Sequence, residues 1–345
     1  MKFLSDKAVE RLRETAEIPD LTGTRYRLLD RVARGGMGVV YAAEDEKLER
    51  RVALKVLDLP SADSDLANRL IREALVLARL EHPGIVPVHD LGRLADGRVF
   101  YTMKFVQGRR LDQYIETVPT ASERLRLFLR ICDAVAFAHA HGVLHRDLKP
   151  ANIMVGRFGE VLVMDWGLAK WLSEGPAQEP LMVDPEATIL EKPRKASGAI
   201  SAGSSVVTGH GTVMGTPGYM SPEQARGDVG RLDARSDIFS LGALLRFLLG
   251  CDSSSAADAT RKPHLDKALE AICSKAAAPD PESRYPSVEE LVLDVSRYLD
   301  GLAVRAHRES FFEKLARIYR RYRFFILLIA AYLIMRVLIL FFMHR

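Results

Sequence analysis

His145-Arg146-Asp147-Leu148-Lys149-Pro150-Ala151-Asn152 is followed, after twelve residues, by Asp165-Trp166-Gly167. Three features upstream of this polar run point to the same chemistry. Ala33-Arg34-Gly35-Gly36-Met37-Gly38-Val39-Val40 lies between two expected strands. A glycine-rich hairpin turn lets backbone N–H groups approach phosphate oxygens without obstruction by Cβ, although glycine punctuates hairpins generally and the cluster alone is weak. Val52-Ala53-Leu54-Lys55 then places a lysine in an otherwise apolar strand. By itself it reads as a snorkelling surface lysine. Glu73 argues otherwise, because it sits on the apolar side of the next expected helix, near Leu70, Ala74 and Leu77, where a carboxylate is costly unless paired. A Lys55–Glu73 ion pair satisfies both groups and aims the ammonium at the α and β phosphates of a nucleotide.

The 345 residues are enough for about two structural units and at least one sizeable core. Hydrophobic residues are 48% and charged residues 27%, which excludes a disordered or fibrous chain. The cysteines Cys132, Cys251 and Cys273 are too few and too far apart for a disulfide framework or a zinc site, so a reducing compartment fits best. Residues 305–345 hold nine Lys/Arg against two Glu, so the net charge of +4 hides a basic tail on a slightly acidic body. That basicity lies beside an apolar run and not on a folded face, which argues against a nucleic-acid partner.

The N-terminus lacks the apolar core of a secretory signal, and residues 1–25 are expected to hold a short helix capped by Ser5 or Asp6 and ending near Glu17. From Tyr26 the runs YRLLDRVA, VVYAAE and RVALKVLDL predict three antiparallel strands. Ser64 then caps a helix whose Leu66, Leu70, Ala74, Leu77 and Leu80 repeat at helical spacing, stopped by His82-Pro83-Gly84. More β structure is expected over Ile85–Val106, then a long helix opened by Ser122 and closed by Gly142, and a mainly helical remainder to about Gly301. Residues 172–211, rich in Ser, Gly, Pro and Ala without periodicity, predict a long mobile loop.

With eight consecutive positions and the spaced Asp165, the chain resembles the protein kinase family, and more narrowly the eukaryotic-like serine/threonine kinases of bacteria. The resemblance runs over residues 26–301. It also rests on Gly215-Thr216-Pro217-Gly218-Tyr219-Met220-Ser221-Pro222-Glu223, on Ser236-Asp237-Ile238-Phe239-Ser240-Leu241-Gly242 and on Ser283-Arg284-Tyr285-Pro286. It implies an α+β, bilobal fold with a β-rich N-lobe and an α-rich C-lobe, and transfer of the ATP γ-phosphate to protein Ser/Thr hydroxyls. Asp147 would be the base and Lys149 the cation for the γ-phosphate, with Lys55 and Glu73 completing the catalytic set. Asn152 and Asp165 would hold Mg²⁺, or Mn²⁺ in its place. The nucleotide would meet Ala33, Gly35, Gly36, Gly38, Val40, Ala53, Lys55 and Met154, the gatekeeper Met103 and the hinge Lys104, Phe105 and Val106. For the apolar members, plain core packing is an equally good account.

The resemblance further implies that Arg146 pairs with a phosphate on the activation loop, residues 165–223, at Thr212. Thr216 would bond near Asp147 and Lys149. Glu223 and Arg284 would form a buried structural pair, and Asp237 would brace the catalytic loop. Ala33 replaces the first glycine of the phosphate loop, Trp166 replaces the usual Phe, and the stretch between Gly250 and Leu265 is short and polar. These departures motivate an alternative, a nucleotide-binding membrane pseudokinase scaffold.

After a basic segment over 302–323, residues 324–343 form a 20-residue apolar stretch broken only by Arg336. At ~1.5 Å per residue it matches a ~30 Å hydrocarbon core. Arg317, Arg320, Arg321 and Arg323 precede it and only His344 and Arg345 follow, which predicts a single-pass protein of the cell membrane with the catalytic part cytoplasmic. With only residues 344–345 after the span, the expectation is either that sensing uses a partner or that the chain is incomplete, and membrane confinement would favour self-association for phosphorylation in trans.

Overall fold

The computed structural model describes residues 18–35, 38–57, 64–171, 218–228, 232–251, 265–310, 314–315, 324, 327–336 and 338–340. The expected helix near residues 5–17, the loop over 172–211 and most of the stretch after Gly250 lie outside them.

Five strands build the first lobe: β1 (Tyr26–Gly35), β2 (Gly38–Asp45), β3 (Arg50–Val56), β4 (Val88–Arg93) and β5 (Val99–Lys104). They form one antiparallel sheet in the order β1-β2-β3-β5-β4. The three expected strands are its first three members. Successive strand side chains point to opposite faces, and β3 shows what that achieves. Val52, Leu54 and Val56 join Tyr26, Val39, Tyr41 and Phe100 in a small core on one face. Ala53 turns to the other face, where Tyr101 and Met103 of β5 belong to the large core that continues into the second lobe. Lys55 shares the parity of Ala53.

Helix α1 (Ser64–Arg79) covers that second face. Its Leu70, Ala74 and Leu77 are buried at helical spacing, and Glu73 is buried among them.

The second lobe is helical: α2 (Leu111–Tyr114), α3 (Ala121–Ala140), α4 (Pro222–Ala225), α5 (Ala234–Leu248), α6 (Lys267–Ala276) and α7 (Val288–Leu299). The long helix α3 starts one residue before the expected Ser122, because Thr120 is its cap. Thr120 accepts from the Glu123 backbone N–H while Glu123 reaches back to Thr120, a capping box that outcompetes the serine. Gly142, at φ +73°, ends it as expected. Short strands line the boundary between lobes. β6 (Gly108–Arg110), β8 (Ile153–Gly156) and β9 (Val161–Val163) make one sheet, and β7 (Val143–Leu144) pairs with β10 (Lys170–Trp171). Gly108 must be glycine, since a Cβ there would lie 2.2 Å from the Val155 carbonyl oxygen.

Among the described residues no helix is long and apolar enough to cross a membrane. Of the expected 324–343 span, residues 324, 327–336 and 338–340 are described as helical, and 325–326, 337 and 341–343 lie outside the described residues.

Candidate active site

The site forms where β3, α1 and β5 face the loops after β7 and β9. Lys55 and Glu73 meet as the sequence predicts, with Nζ donating to Oε1 at 2.7 Å and to Oε2 at 2.8 Å. A third residue joins them. The Tyr101 hydroxyl donates to Glu73 Oε1 at 2.9 Å, and burial, then the Glu73 charge, pushes its pKa well above the usual tyrosine range. Lys55 Nζ also stands 3.9 Å from Asp165 Oδ1.

β7 delivers the chain into the loop His145–Asn152. Two of its residues are fastened to Asp237 on the first turn of α5: the N–H groups of His145 and Arg146 donate to Oδ2 and Oδ1, each at 2.8 Å. His139 Nε2 bonds the same Oδ2 at 2.8 Å. Burial works against an ionised Asp237, yet the His139 bond and the nearby histidines outweigh it and hold the carboxyl below its usual range. Asp237 thus braces the loop, as expected. Arg146 sits at φ +69° and Asp165 at φ +58°, in the left-handed region that non-glycine residues rarely occupy. Arg146 is held there from both sides, because its carbonyl accepts from Gln224 Nε2 at 2.8 Å while its N–H is bound to Asp237.

Asp147 is the centre of the polar set. Its Oδ2 accepts from Lys149 Nζ at 2.7 Å and from Asn152 Nδ2 at 3.0 Å, and Asn152 Nδ2 also reaches the Asp147 carbonyl at 2.8 Å. With that amide nitrogen committed, Oδ1 is the Asn152 atom left to meet a cation. The Met164 N–H donates to the Asn152 carbonyl at 2.7 Å, tying the loop to the residue before Asp165. His145 Nδ1 accepts from the Asp147 N–H, which leaves its Nε2 as the donor to Met164 O at 3.0 Å. Trp166 is buried with its indole N–H on Val163 O at 3.2 Å and its ring against His145 at 4.6 Å. The substitution for Phe therefore leaves no orphan donor.

One amide oxygen and one carboxylate, Asn152 and Asp165, are too few for an all-protein cage, and no group of three His, Cys, Asp or Glu that could hold a metal occurs among the described residues. That donor set suits Mg²⁺, which keeps waters and shares phosphate oxygens with one or two protein ligands. Around the cleft, Ala33 pairs with Val40 across the β1–β2 hairpin, and Gly35 pairs with Gly38. A Cβ on Gly38 would lie 2.2 Å from Val56 O. Gly36 lies outside the described residues. Ala53 and Met103 are buried, Val40, Phe105, Val106 and Met154 half-buried, and Lys104 exposed.

Thr212 and Thr216 lie outside the described residues. Their expected partner Arg146 is half-buried, and burial lowers its pKa against the pull of Asp237. Its Nη1 donates to Leu168 O at 3.4 Å, while its buried Nε has no hydrogen-bond partner among the described residues. Glu223 and Arg284 form the expected buried pair at 2.6 and 2.9 Å, and Ser236 adds a bond at 2.9 Å. Burial raises the Glu223 pKa, but the Arg284 and Ser236 bonds prevail and bring it to about 2.

Sequence reasoning missed Tyr101, Gln224 and His139. For Tyr101 a signal existed: a hydroxyl in the buried strand VFYTMK needs a partner. Gln224 carried none, because its bond to Arg146 spans 78 residues.

Residues 26–300 match the family model described as protein kinase domain. The serine/threonine-protein kinase PknD of Protochlamydia amoebophila is 34% identical over 310 residues, covering 80% of this chain and 30% of that protein. The probable serine/threonine-protein kinase PknB of Lactococcus lactis is 35% identical over 301 residues, covering 81% of this chain and 43% of the relative. The chain thus spans under half the length of either relative. The crystal structure of the Mycobacterium tuberculosis PknI kinase domain superposes with a TM-score of 0.53 at 25% identity, covering 79% of this chain and 95% of that one.

Proposed function

Because the chain belongs to the protein kinase family, we propose that it is a serine/threonine protein kinase that transfers the γ-phosphoryl group of ATP to protein Ser/Thr hydroxyls, itself included. The observation that carries this reading is the carboxylate of Asp147, held by Lys149 and Asn152 on a loop anchored to Asp237. Asp147 takes the proton of the attacking hydroxyl, the new P–O bond forms on that oxygen, and ADP leaves with the electrons of the broken bond. Lys149 offsets charge on the transferred group. Lys55, oriented by Glu73, holds the α and β phosphates. Asn152 and Asp165 would hold a divalent cation, which would supply neutralisation of phosphate charge.

The scaffold alternative draws on Ala33, Trp166 and the short polar stretch after Gly250. The buried, hydrogen-bonded indole removes the Trp166 ground, and the presence of Lys55, Glu73, Asp147, Asn152 and Asp165 favours the active enzyme. A phosphate on Thr212 would add a charged partner for the Arg146 guanidinium, whose Nε is unbonded among the described residues, and order the activation loop. Anchoring by residues 324–343, with the kinase lobes cytoplasmic, would confine the enzyme to a membrane and favour phosphorylation in trans.

The test is transfer from γ-labelled ATP to the full chain, with phosphosites mapped by mass spectrometry. Label on Ser or Thr, with Thr212 among the sites, is expected. Asp147→Asn should bind ATP normally yet transfer about 10²–10⁴ times more slowly, the usual worth of a general base. Equal transfer by that variant would overturn the role of Asp147, and no transfer by the parent would overturn the kinase reading.

A further inference from the structure

Tyr101 stands directly opposite Lys55 in the β3–β5 register and is 1% exposed. The parity of β5 sends Val99, Tyr101 and Met103 into the large core with α1, where phenylalanine or leucine would satisfy packing alone. A hydroxyl in that place is costly unless bonded, and its partner is Glu73 Oε1 at 2.9 Å. We propose that Tyr101 is a positioning residue for phosphoryl transfer, its hydroxyl locking the Glu73 carboxylate in the place from which it orients Lys55. The proposal rests on the kinase reading above.

Two restraints of different stiffness act on Glu73. Lys55 approaches on a flexible four-carbon stem and must also serve a nucleotide, so its hold on the carboxylate changes when phosphates arrive. Tyr101 has two side-chain torsions, is enclosed in the core and belongs to a sheet strand paired on both sides. Its bond therefore fastens α1 to the sheet independently of Lys55. The lysine Nζ lies 5.8 Å from the Tyr101 ring centroid, within cation–π range, so the same ring also borders the ammonium. Burial and the neighbouring carboxylates keep the phenol protonated, hence a donor, throughout the neutral range.

Tyr101→Phe removes one oxygen and keeps the ring. In the full chain, kcat for a peptide substrate should fall about ten-fold with the peptide KM unchanged, as expected when a hydrogen bond to a buried charge is lost. A packing defect would produce the same fractional loss in any background, so the cycle with Glu73→Gln separates the two accounts. There Tyr101→Phe should cost little more. A second readout needs no turnover: acylation of Lys55 by an acyl-phosphate ATP probe should slow about ten-fold in Tyr101→Phe. Parental kcat and labelling in Tyr101→Phe would overturn the proposal, as would an undiminished loss in the Glu73→Gln background. A parent that labels at Lys55 but transfers no phosphate would instead overturn the kinase reading, while the labelling ratio still decides the role of Tyr101.

Discussion

Glu223 and Arg284 are both buried and joined by two short hydrogen bonds, so each is tolerable only because the other is there. The Glu223 carboxyl is brought to about 2, well below its ordinary value near 4.3. A depressed acid contributes stability that is complete above its unfolded pKa and lost as pH falls through the folded one. Thermal melts should therefore show the parent losing stability between about pH 4.3 and pH 2 more steeply than Glu223→Gln. At neutral pH the same variant should be less stable by about 3–5 kcal/mol, because Arg284 is left as an uncompensated buried charge. Parallel melting curves through that window would refute the assignment. This pair was legible in the linear chain because both partners sit in recognisable motifs. The Lys55–Glu73 pair was legible for a more elementary reason: a carboxylate on an apolar helix face requires a cation. Tyr101 obeys the same logic, yet a tyrosine in an apolar strand reads first as packing, and its partner is fixed only by the β3–β5 register.

At the scale of elements, the helices and sheet strands followed from periodicity, and the caps were harder to place. Ser122 and Thr120 are both acceptable caps by residue type, and the choice between them depends on what lies three residues on. Thr120 has Glu123 there and Ser122 has Leu125. Helix α3 carries the lobe's core, with Leu125, Phe128, Ile131, Cys132 and Val135 buried, so its first turn matters to the whole domain. Thr120→Ala should destabilise the protein by about 1 kcal/mol in denaturant titrations, while Ser122→Ala should change it by less than about 0.5 kcal/mol. The reverse ranking would return the cap to Ser122. The catalytic loop shows what periodicity cannot supply. Arg146 adopts a left-handed backbone angle that no local propensity favours, and it persists because Asp237 and Gln224 clamp it from α5 and α4. Such clamps join elements that are remote in sequence, so only the assembled lobe reveals them.

For the molecule as a whole, the two-lobed arrangement was legible from the change of period near Val106, whereas the relation of the lobes to the C-terminal segment was not. Along residues 327–340 the described side chains are apolar apart from Arg336, and the large ones are at least half open, for example Leu327 at 60% and Ile334 at 61%. Nothing among the described residues covers them. In water such a surface is unfavourable all round the helix, which is the pattern expected of a segment that lipid surrounds. Arg336 opposes insertion by about 2.5–3.5 kcal/mol if it sits at the bilayer centre, against contributions of about −0.3 to −0.6 kcal/mol from each Leu, Ile, Phe or Val. On that scale the apolar residues would outweigh it, and in the anchoring proposal the four arginines at 317, 320, 321 and 323 would hold the adjoining end on the cytoplasmic side. Deleting residues 324–345 should accordingly move the protein from the membrane pellet to the soluble fraction while leaving phosphoryl transfer intact, because the residues placed in the site all precede Gly301. Alkaline extraction of the full chain is the discriminating measurement. A chain that stays in the pellet at high pH is embedded in the bilayer, whereas one released by alkali is held on a surface and the anchoring proposal fails. A truncated protein that is soluble but slow, and that recovers its rate when two copies are brought together by a fused dimerisation domain, would show that the anchor acts by concentrating kinase lobes for phosphorylation in trans.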